Sequence, residues 1–439
     1  MSEEPRVRVG VMSATTIQFV LHGKYSAAGI GTVTGPQSAT VTAGGLVSWN
    51  GLEMGSARFD PTDEETCSVE LADVTIGVNF HWERRENQRF RGSLHIIVEN
   101  GTLTAVNVLR VEDYLMSVIS SEMSATASIE LLKAHAVISR SWLLAQMDKS
   151  RRDGGGETLQ EQEARDGELI RWWDRDDHQN FDVCADDHCQ RYQGITRETT
   201  HTVREAVEAT RGQALTYDGQ LCDARFSKCC GGVLEQFENC WEPKRHDYLT
   251  ARRDSEREDD FPDLTKEPAV EEWIMGSPDA FCNTTDTSVL SQALNSYDQE
   301  TTDFYRWRVE YGQKELSELI KRRSGVDYGD IIDLQPVARG TSGRLYKLKI
   351  VGTKATRTIG KELEIRRTLS PTHLYSSAFI VERHNTRQGV PQKFVLRGAG
   401  WGHGVGLCQI GAAVMAERGY SYRDILLHYF VNANIENLY

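Results

Sequence analysis

One change of rhythm constrains this chain more than any other feature. From Val7 to about Val108 apolar residues alternate with polar ones or gather in short β-branched runs, as in Arg6-Val7-Arg8-Val9-Gly10-Val11, Thr40 to Val47 and Leu94-His95-Ile96-Ile97-Val98, broken by Gly, Asn and Asp. From Val111 to Met147 the apolar spacing becomes that of a helix. Ser128 is placed as an N-cap, Glu130 puts a negative charge in the first turn, and Leu131, Ala134, Ile138 and Trp142 form one stripe for the core. Strands gathered ahead of helices predict an α+β fold, with a β-rich N-terminal region over 1–108 and a mixed α/β core over 109–439.

Within that core the charged stretch 148–177, with Gly154-Gly155-Gly156, and a second polar stretch, Arg252 to Lys266, read as exposed excursions, giving insertions near 148–177 and 252–275. Mixed signals return between Val270 and Ser377, including an amphipathic segment at Glu315 to Arg323 and a strand at Tyr346 to Val351. A strand at Phe394 to Gly400, a glycine-rich turn and an amphipathic helical segment from Ile410 to Phe430 follow. There is no internal repeat.

Charge and hydropathy exclude two classes of partner. A net charge of -14, from 50 Lys+Arg against 64 Asp+Glu, is opposite to that of a nonspecific nucleic-acid binder. No run approaches the roughly 18 apolar residues that span a bilayer, and Met1-Ser2-Glu3-Glu4-Pro5-Arg6 lacks the basic and apolar regions of an export signal. The expectation from these residues alone is a soluble chain.

Two features carry chemistry by residue type. Tyr114-Leu115-Met116-Ser117-Val118-Ile119-Ser120-Ser121-Glu122-Met123 ends an apolar segment on a carboxylate, and the helix behind it carries Lys133 and Arg140, seven residues apart and so on one face. That arrangement suits Glu122 to general acid work; the two cations can bind polar substrate groups or orient the carboxylate, and otherwise are solvated helix charges. His135 points elsewhere and reads as structural.

The second feature is cysteine. Nine cysteines cannot all pair within one chain, and their uneven spacing is not a disulfide framework. His178-x5-Cys184-x3-His188-Cys189 is ligand chemistry suited to Zn2+, with His188 the weaker fourth ligand because adjacent residues on extended backbone face opposite ways. A Cys184–Cys189 disulfide or unligated thiols are the alternatives. In Phe226-Ser227-Lys228-Cys229-Cys230-Gly231-Gly232 the glycines suggest a turn, and a disulfide from Cys229 or Cys230 to Cys240 is admissible; nothing marks the base that a cysteine nucleophile needs.

Several blocks together resemble the SpoIID/LytB family of peptidoglycan-acting proteins. Val111-Glu112-Asp113-Tyr114-Leu115 through Glu122-Met123 to Glu130-Leu131-Leu132-Lys133-Ala134-His135-Ala136-Val137-Ile138-Ser139-Arg140 is similar to that family's E-Y-L…E-M…E-A-L-K-A-Q-A-V-A-A-R. Gly400-Trp401-Gly402-His403-Gly404-Val405-Gly406-Leu407-Cys408-Gln409-Ile410-Gly411-Ala412 is similar to G-x-G-H-G-V-G-M-S-Q-Y-G-A. Gln190-x-Tyr192-x-Gly194, Cys230-Gly231-Gly232 and Ile425-Leu426-Leu427-His428-Tyr429-Phe430 add support, so the likeness runs from about Arg91 to Tyr439. The chain departs from the pattern at His135 (usually Gln), Leu407 (Met), Cys408 (Ser) and Ser124 (Pro).

The resemblance implies a lytic transglycosylase cutting the MurNAc-GlcNAc bond of peptidoglycan glycan strands, in some members strands already stripped of stem peptides, with Glu122 as acid and then base. It also implies that Lys133, Arg140, Ser227, His403 and Gln409 serve substrate, and that His178, Cys184 and Cys189 hold a zinc ion that is structural or site-shaping. A different reading, from the other branch of the family, is a noncatalytic glycan-binding protein that enhances a cell-wall amidase; a third is a zinc hydrolase built on His178, Cys184 and Cys189. The implied substrate lies in the cell envelope or periplasm, whereas the first residues carry no signal, so either a signal has been trimmed or the protein acts on glycan fragments in the cytoplasm.

Overall fold

The alternating runs become strands because every second side chain meets an apolar neighbour. The computed structural model describes residues 3–27, 29–76, 84–124, 127–153, 162–164, 167–172, 178–186, 189–196, 200–257, 261–293 and 302–439. Strand β1 (Arg6–Ala14) and strand β2 (Thr16–Ala27) belong to an 11-stranded sheet with the order Val183–Cys184, β1, Thr102–Arg110, Ser93–Glu99, Ser56–Pro61, β2, Gly31–Val41, Val47–Trp49, Leu52–Met54. Ser68–Ile76 also pairs with β2 and carries Arg84–Phe90 at its side. All pairs are antiparallel except Val183–Cys184, which runs parallel to Val9 and Gly10.

Along β2 the buried residues are Ile17, Phe19, Leu21, Tyr25 and Ala27. Inside, the Phe59 ring meets Phe19 at 5.1 Å and Trp49 at 4.7 Å, and burial of each such ring contributes about 1.5–3 kcal/mol. The expected strand from Thr40 to Val47 is split. Gly31–Val41 ends, Thr42 and Leu46 close a turn through an amide-to-carbonyl bond of 2.8 Å, and Val47–Trp49 returns. Gly45, with φ 73°, takes the left-handed backbone that this turn requires.

Thr102–Arg110 runs without a loop into helix α1 (Val111–Glu122), and helix α2 (Ile129–Asp153) packs against it. Ser128 caps α2, its Oγ accepting from the Leu131 amide at 3.4 Å. Leu131, Ala134, Ile138 and Trp142 are all buried, as their spacing requires. One continuous apolar cluster joins the N-terminal strands, α1 and α2 to Val405, Leu407, Ile410, Ile425 and Tyr429. The amphipathic segment 410–430 is two helices, Gln409–Glu417 and Tyr422–Tyr429, the second capped by Ser421.

A second core lies over 307–396. There a three-stranded sheet (Arg306–Gly312, Lys393–Ala399, Phe379–His384) and a five-stranded sheet share the helix Gln313–Ser324, whose Leu316, Leu319 and Ile320 are buried. Two expectations need correction here. Part of the stretch 148–177 is not an excursion: Glu168–Ile170 pairs parallel with Thr356–Gly360 in the five-stranded sheet. In the stretch 252–266, Asp254 and Leu264 are buried, because the Asp254 backbone is bonded to Gly232 and Phe281 and carries its side chain inward. Among the described residues no helix is long and apolar enough to cross a membrane. The fold is α+β, with its β-rich region at the N-terminal side.

Candidate functional site

Glu122 is the last residue of α1, half-buried, and its Oε1 accepts the Arg191 amide at 3.0 Å. The segment that supplies this amide is pinned along α1. The Tyr114 hydroxyl donates to Gln190 Oε1 at 3.2 Å, the Gln193 amide donates to Ser117 Oγ at 3.2 Å, and the Tyr114 and Tyr192 rings stack at 5.0 Å. Immediately before it stand His178, Cys184 and Cys189, half-buried, with ligand atoms all within 4.8 Å of one another and Cys189 Sγ 3.6 Å from His178 Nε2. His178 stacks on Phe181 at 4.4 Å, and Phe181 lies over Gly10, where an added Cβ would stand 2.5 Å from the ring. His188 lies outside the described residues.

The residue after Glu122 connects it to the glycine-rich turn. Met123 Sδ is 3.9 Å from Gln409 Nε2, and that amide donates to His135 Nε2 at 3.1 Å. Burial, with Lys228 nearby, pushes His135 down to about 3, so it is a neutral acceptor. Its ring meets Phe226 at 4.8 Å, and Phe226–Ser227 pairs parallel with Leu407–Cys408. Ser227 Oγ in turn accepts the Gly404 amide at 3.2 Å. His403, half-buried, accepts the Val405 amide on Nδ1 at 3.0 Å and faces the Trp241 ring edge at 4.8 Å. Burial and the cations Arg225, Arg344 and Arg366 hold it well below the usual histidine range, so it is neutral too.

The glycines of this turn answer to the protein's own atoms. A Cβ on Gly404 would lie 2.5 Å from the Arg344 guanidinium carbon, and one on Gly406 would lie 2.1 Å from the Arg225 carbonyl oxygen. Arg344 is buried and donates to the carbonyls of Gly402 and Cys230 and to Ser342 Oγ. A group from the second core thus fixes the turn that presents His403.

The two cations of α2 part company. Lys133 is half-buried and pairs with Glu130 at 2.8 Å, beside the Tyr422 ring. Arg140 has no exposed surface: Nε and Nη2 donate to the two oxygens of Glu112 at 3.0 and 2.6 Å, and Nη1 donates to the Gln213 carbonyl at 3.0 Å. Glu112 also accepts from the Gly212 amide and the Tyr439 hydroxyl. Arg140, expected to serve substrate, is therefore enclosed in an ion pair, because Gln213–Tyr217, the central strand of a three-stranded sheet, and Tyr439 cover its face of the helix.

A second sulfur cluster lies beneath the turn. Cys230, Cys282 and Cys408 converge with Asp254, all buried, with ligand atoms within 4.8 Å of one another. Of the alternatives left open for Cys229, Cys230 and Cys240, the structure shows free thiols and no disulfide to Cys240. Cys230 Sγ lies 3.5 Å from Cys282 Sγ, while the Cys240 thiol donates to the His403 carbonyl at 3.7 Å. Burial raises Cys230 well above the thiol range and Cys282 to about 12. Burial acts the same way on Cys408, yet hydrogen bonds from the Cys229, Cys230 and Cys282 thiols and the Cys230 amide hold it well below that range. Asp254 and Cys282 were missed in the sequence because the first sits in a charged run and the second has no cysteine near it.

Residues 99–217 match the Stage II sporulation protein family, and residues 235–406 match a domain of unknown function (DUF8618). An uncharacterized protein of Brachyspira hyodysenteriae is 25% identical over 346 residues, 79% of this chain and 72% of its own length. The Stage II sporulation protein D of Bacillus subtilis is 25% identical over 333 residues, 75% of this chain and 76% of its own. The amidase enhancer of Bacillus subtilis is 25% identical over 329 residues, 72% of this chain but 39% of its own. The matched segment and these relatives support the resemblance to the SpoIID/LytB family that the motifs carry.

Proposed function

We propose that this protein works on the bacterial cell wall as a lytic transglycosylase that cleaves the MurNAc-GlcNAc bond of peptidoglycan glycan strands. The observation that carries the reading is the setting of Glu122. It lies within the part matched to the sporulation family, its carboxylate is held by the Arg191 amide at 3.0 Å, and Met123 links it to Gln409. In this reading Glu122 protonates the bridging oxygen as the bond from MurNAc C1 breaks, and the substrate's own N-acetyl group stabilises the cationic C1. The ionised Glu122 then takes the proton of the C6 hydroxyl as O6 bonds to C1, closing a 1,6-anhydro ring without water. Half-buried His403 binds and orients the strand, while the buried Ser227 and Gln409 hold the turn that presents it through the Gly404 amide and His135.

The half-buried set of one histidine and two thiols suits Zn2+. His178, Cys184 and Cys189 would hold it, and the ion would supply a rigid anchor two residues before the Arg191 amide that orients Glu122. The reading locates the protein in the cell envelope; work on glycan fragments in the cytoplasm is the alternative. A second reading, favoured by the likeness to a protein named an amidase enhancer, is a noncatalytic glycan binder that acts through a cell-wall amidase.

The deciding experiment is mass spectrometry of glycan strands, with and without stem peptides, after incubation with wild type and Glu122→Gln. Formation of 1,6-anhydro-MurNAc ends by wild type alone is the expected result. Retained strand binding with no cleavage by either protein would put the enhancer reading in front.

A further inference from the structure

We propose that Cys230, Cys282, Cys408 and Asp254 form a closed, structural Zn2+ site, separate from the His178–Cys184–Cys189 cluster and independent of the reaction assigned to Glu122. Three sulfurs and one carboxylate oxygen come from four separate segments. They are the turn after Phe226–Ser227, the segment beside Gly232, the residues ahead of the helix Thr287–Ala293, and the residue that opens the helix Gln409–Glu417. Cys230 Sγ is 3.5 Å from Cys282 Sγ and 3.4 Å from Asp254 Oδ2. A tetrahedral zinc ion with bonds of about 2.0–2.3 Å spaces its ligand atoms by roughly 3.5–3.8 Å, so the donors stand close to the required separation before any ion is placed.

Charge makes the stronger argument. Asp254 has no exposed surface, and its ion-pair partner is His428, with Nε2 3.6 Å away, which is charged only when protonated. A buried carboxylate beside three thiols needs a cation, since an isolated buried charge costs several kcal/mol. One divalent ion would compensate it and the thiolates together. A disulfide between any two of the sulfurs would leave the buried carboxylate uncompensated.

The surroundings are those of a held ligand set. The Tyr429 hydroxyl donates to Asp254 Oδ1 at 2.8 Å, and the Cys282 amide donates to Oδ2 at 3.1 Å, which aims the carboxylate. Gly411 lets the helix come close: a Cβ there would lie 2.8 Å from Asp254 Oδ2. Four protein ligands in a buried pocket leave no position open to substrate, which is the mark of a structural ion. Its place is the floor of the turn that presents His403. Cys229, buried at its side, is the nearest rival sulfur, and disulfides among the four are the alternative chemistry.

The test is the metal content, by elemental mass spectrometry, of the Cys184→Ser/Cys189→Ser double variant purified without chelator. That variant lacks the other cluster. One equivalent of zinc per chain is expected, and after refolding with Co2+ the bound ion should show strong thiolate-to-cobalt charge-transfer absorption. Adding Cys282→Ser should abolish both signals; where that variant fails to fold, the cobalt spectrum of the double variant decides. Absence of metal from the double variant, or a Cys230–Cys282 or Cys229–Cys408 crosslink in its non-reducing peptide map, would overturn the proposal.

Discussion

The His178–Cys184–Cys189 cluster and the Cys230–Asp254–Cys282–Cys408 cluster use similar donors and are assembled in opposite ways. The first comes from one short stretch of chain and stays half-buried; the second joins residues as far apart as Cys230 and Cys408, 178 positions, and is fully enclosed. A local cluster needs little beyond the closure of a short loop. A dispersed one forms only when distant segments have already packed, so loss of a ligand there should be felt by the whole core. The same contrast divides the two cations of α2, Lys133 at the rim and Arg140 inside.

The largest effect tests that division directly. Arg140→Met leaves Glu112 buried without its guanidinium partner and should cost about 3–5 kcal/mol, whereas Lys133→Met should cost about 1 kcal/mol or less, as exposed pairs do. Urea unfolding of the two variants measures both, and equal losses would break the comparison. Next in size, Cys189→Ser should remove about one equivalent of zinc and lower 1,6-anhydro product formation by about 10–100-fold, with little change in melting temperature. A large drop in melting temperature would mean that the local cluster also holds up the core.

A smaller effect than that of Arg140→Met, when read between pH 7 and pH 5, concerns His135, which receives the Gln409 amide next to Cys408. Burial, with Lys228 nearby, places it at about 3 in the folded protein, against about 6.5 unfolded. The unfolded chain therefore binds the extra proton between those values, and stability should fall as pH drops from about 6.5 toward 3, by roughly 1.4 kcal/mol per pH unit. His135→Gln should flatten that acid limb. Urea midpoints of both proteins at pH 7 and pH 5 check it; parallel losses would show that another group carries the acid sensitivity.

Much of the fold was legible because period is a property of neighbouring residues. The buried stripe Leu131, Ala134, Ile138 and Trp142, the cap at Ser128 and the buried face of β2 all follow from spacing. So does the gathering of His178, Cys184 and Cys189, which are close in sequence and close in space. Illegible were the features whose environment is supplied from afar. Glu168–Ile170 looked like part of a charged loop until Thr356–Gly360 came alongside, and Asp254 looked solvated until Gly232 and Phe281 drew its backbone inward.

By itself, then, the sequence determined the change from strand to helix near residue 110, the helix that ends on Glu122, and the local sulfur cluster. Only the tertiary structure decided that Arg140 is enclosed, that the glycine-rich turn is shaped by Arg344, and that Asp254 meets three cysteines from distant segments. The physical reason is that local backbone preference acts between residues a few positions apart, while burial of a charge depends on which surfaces the completed fold brings together.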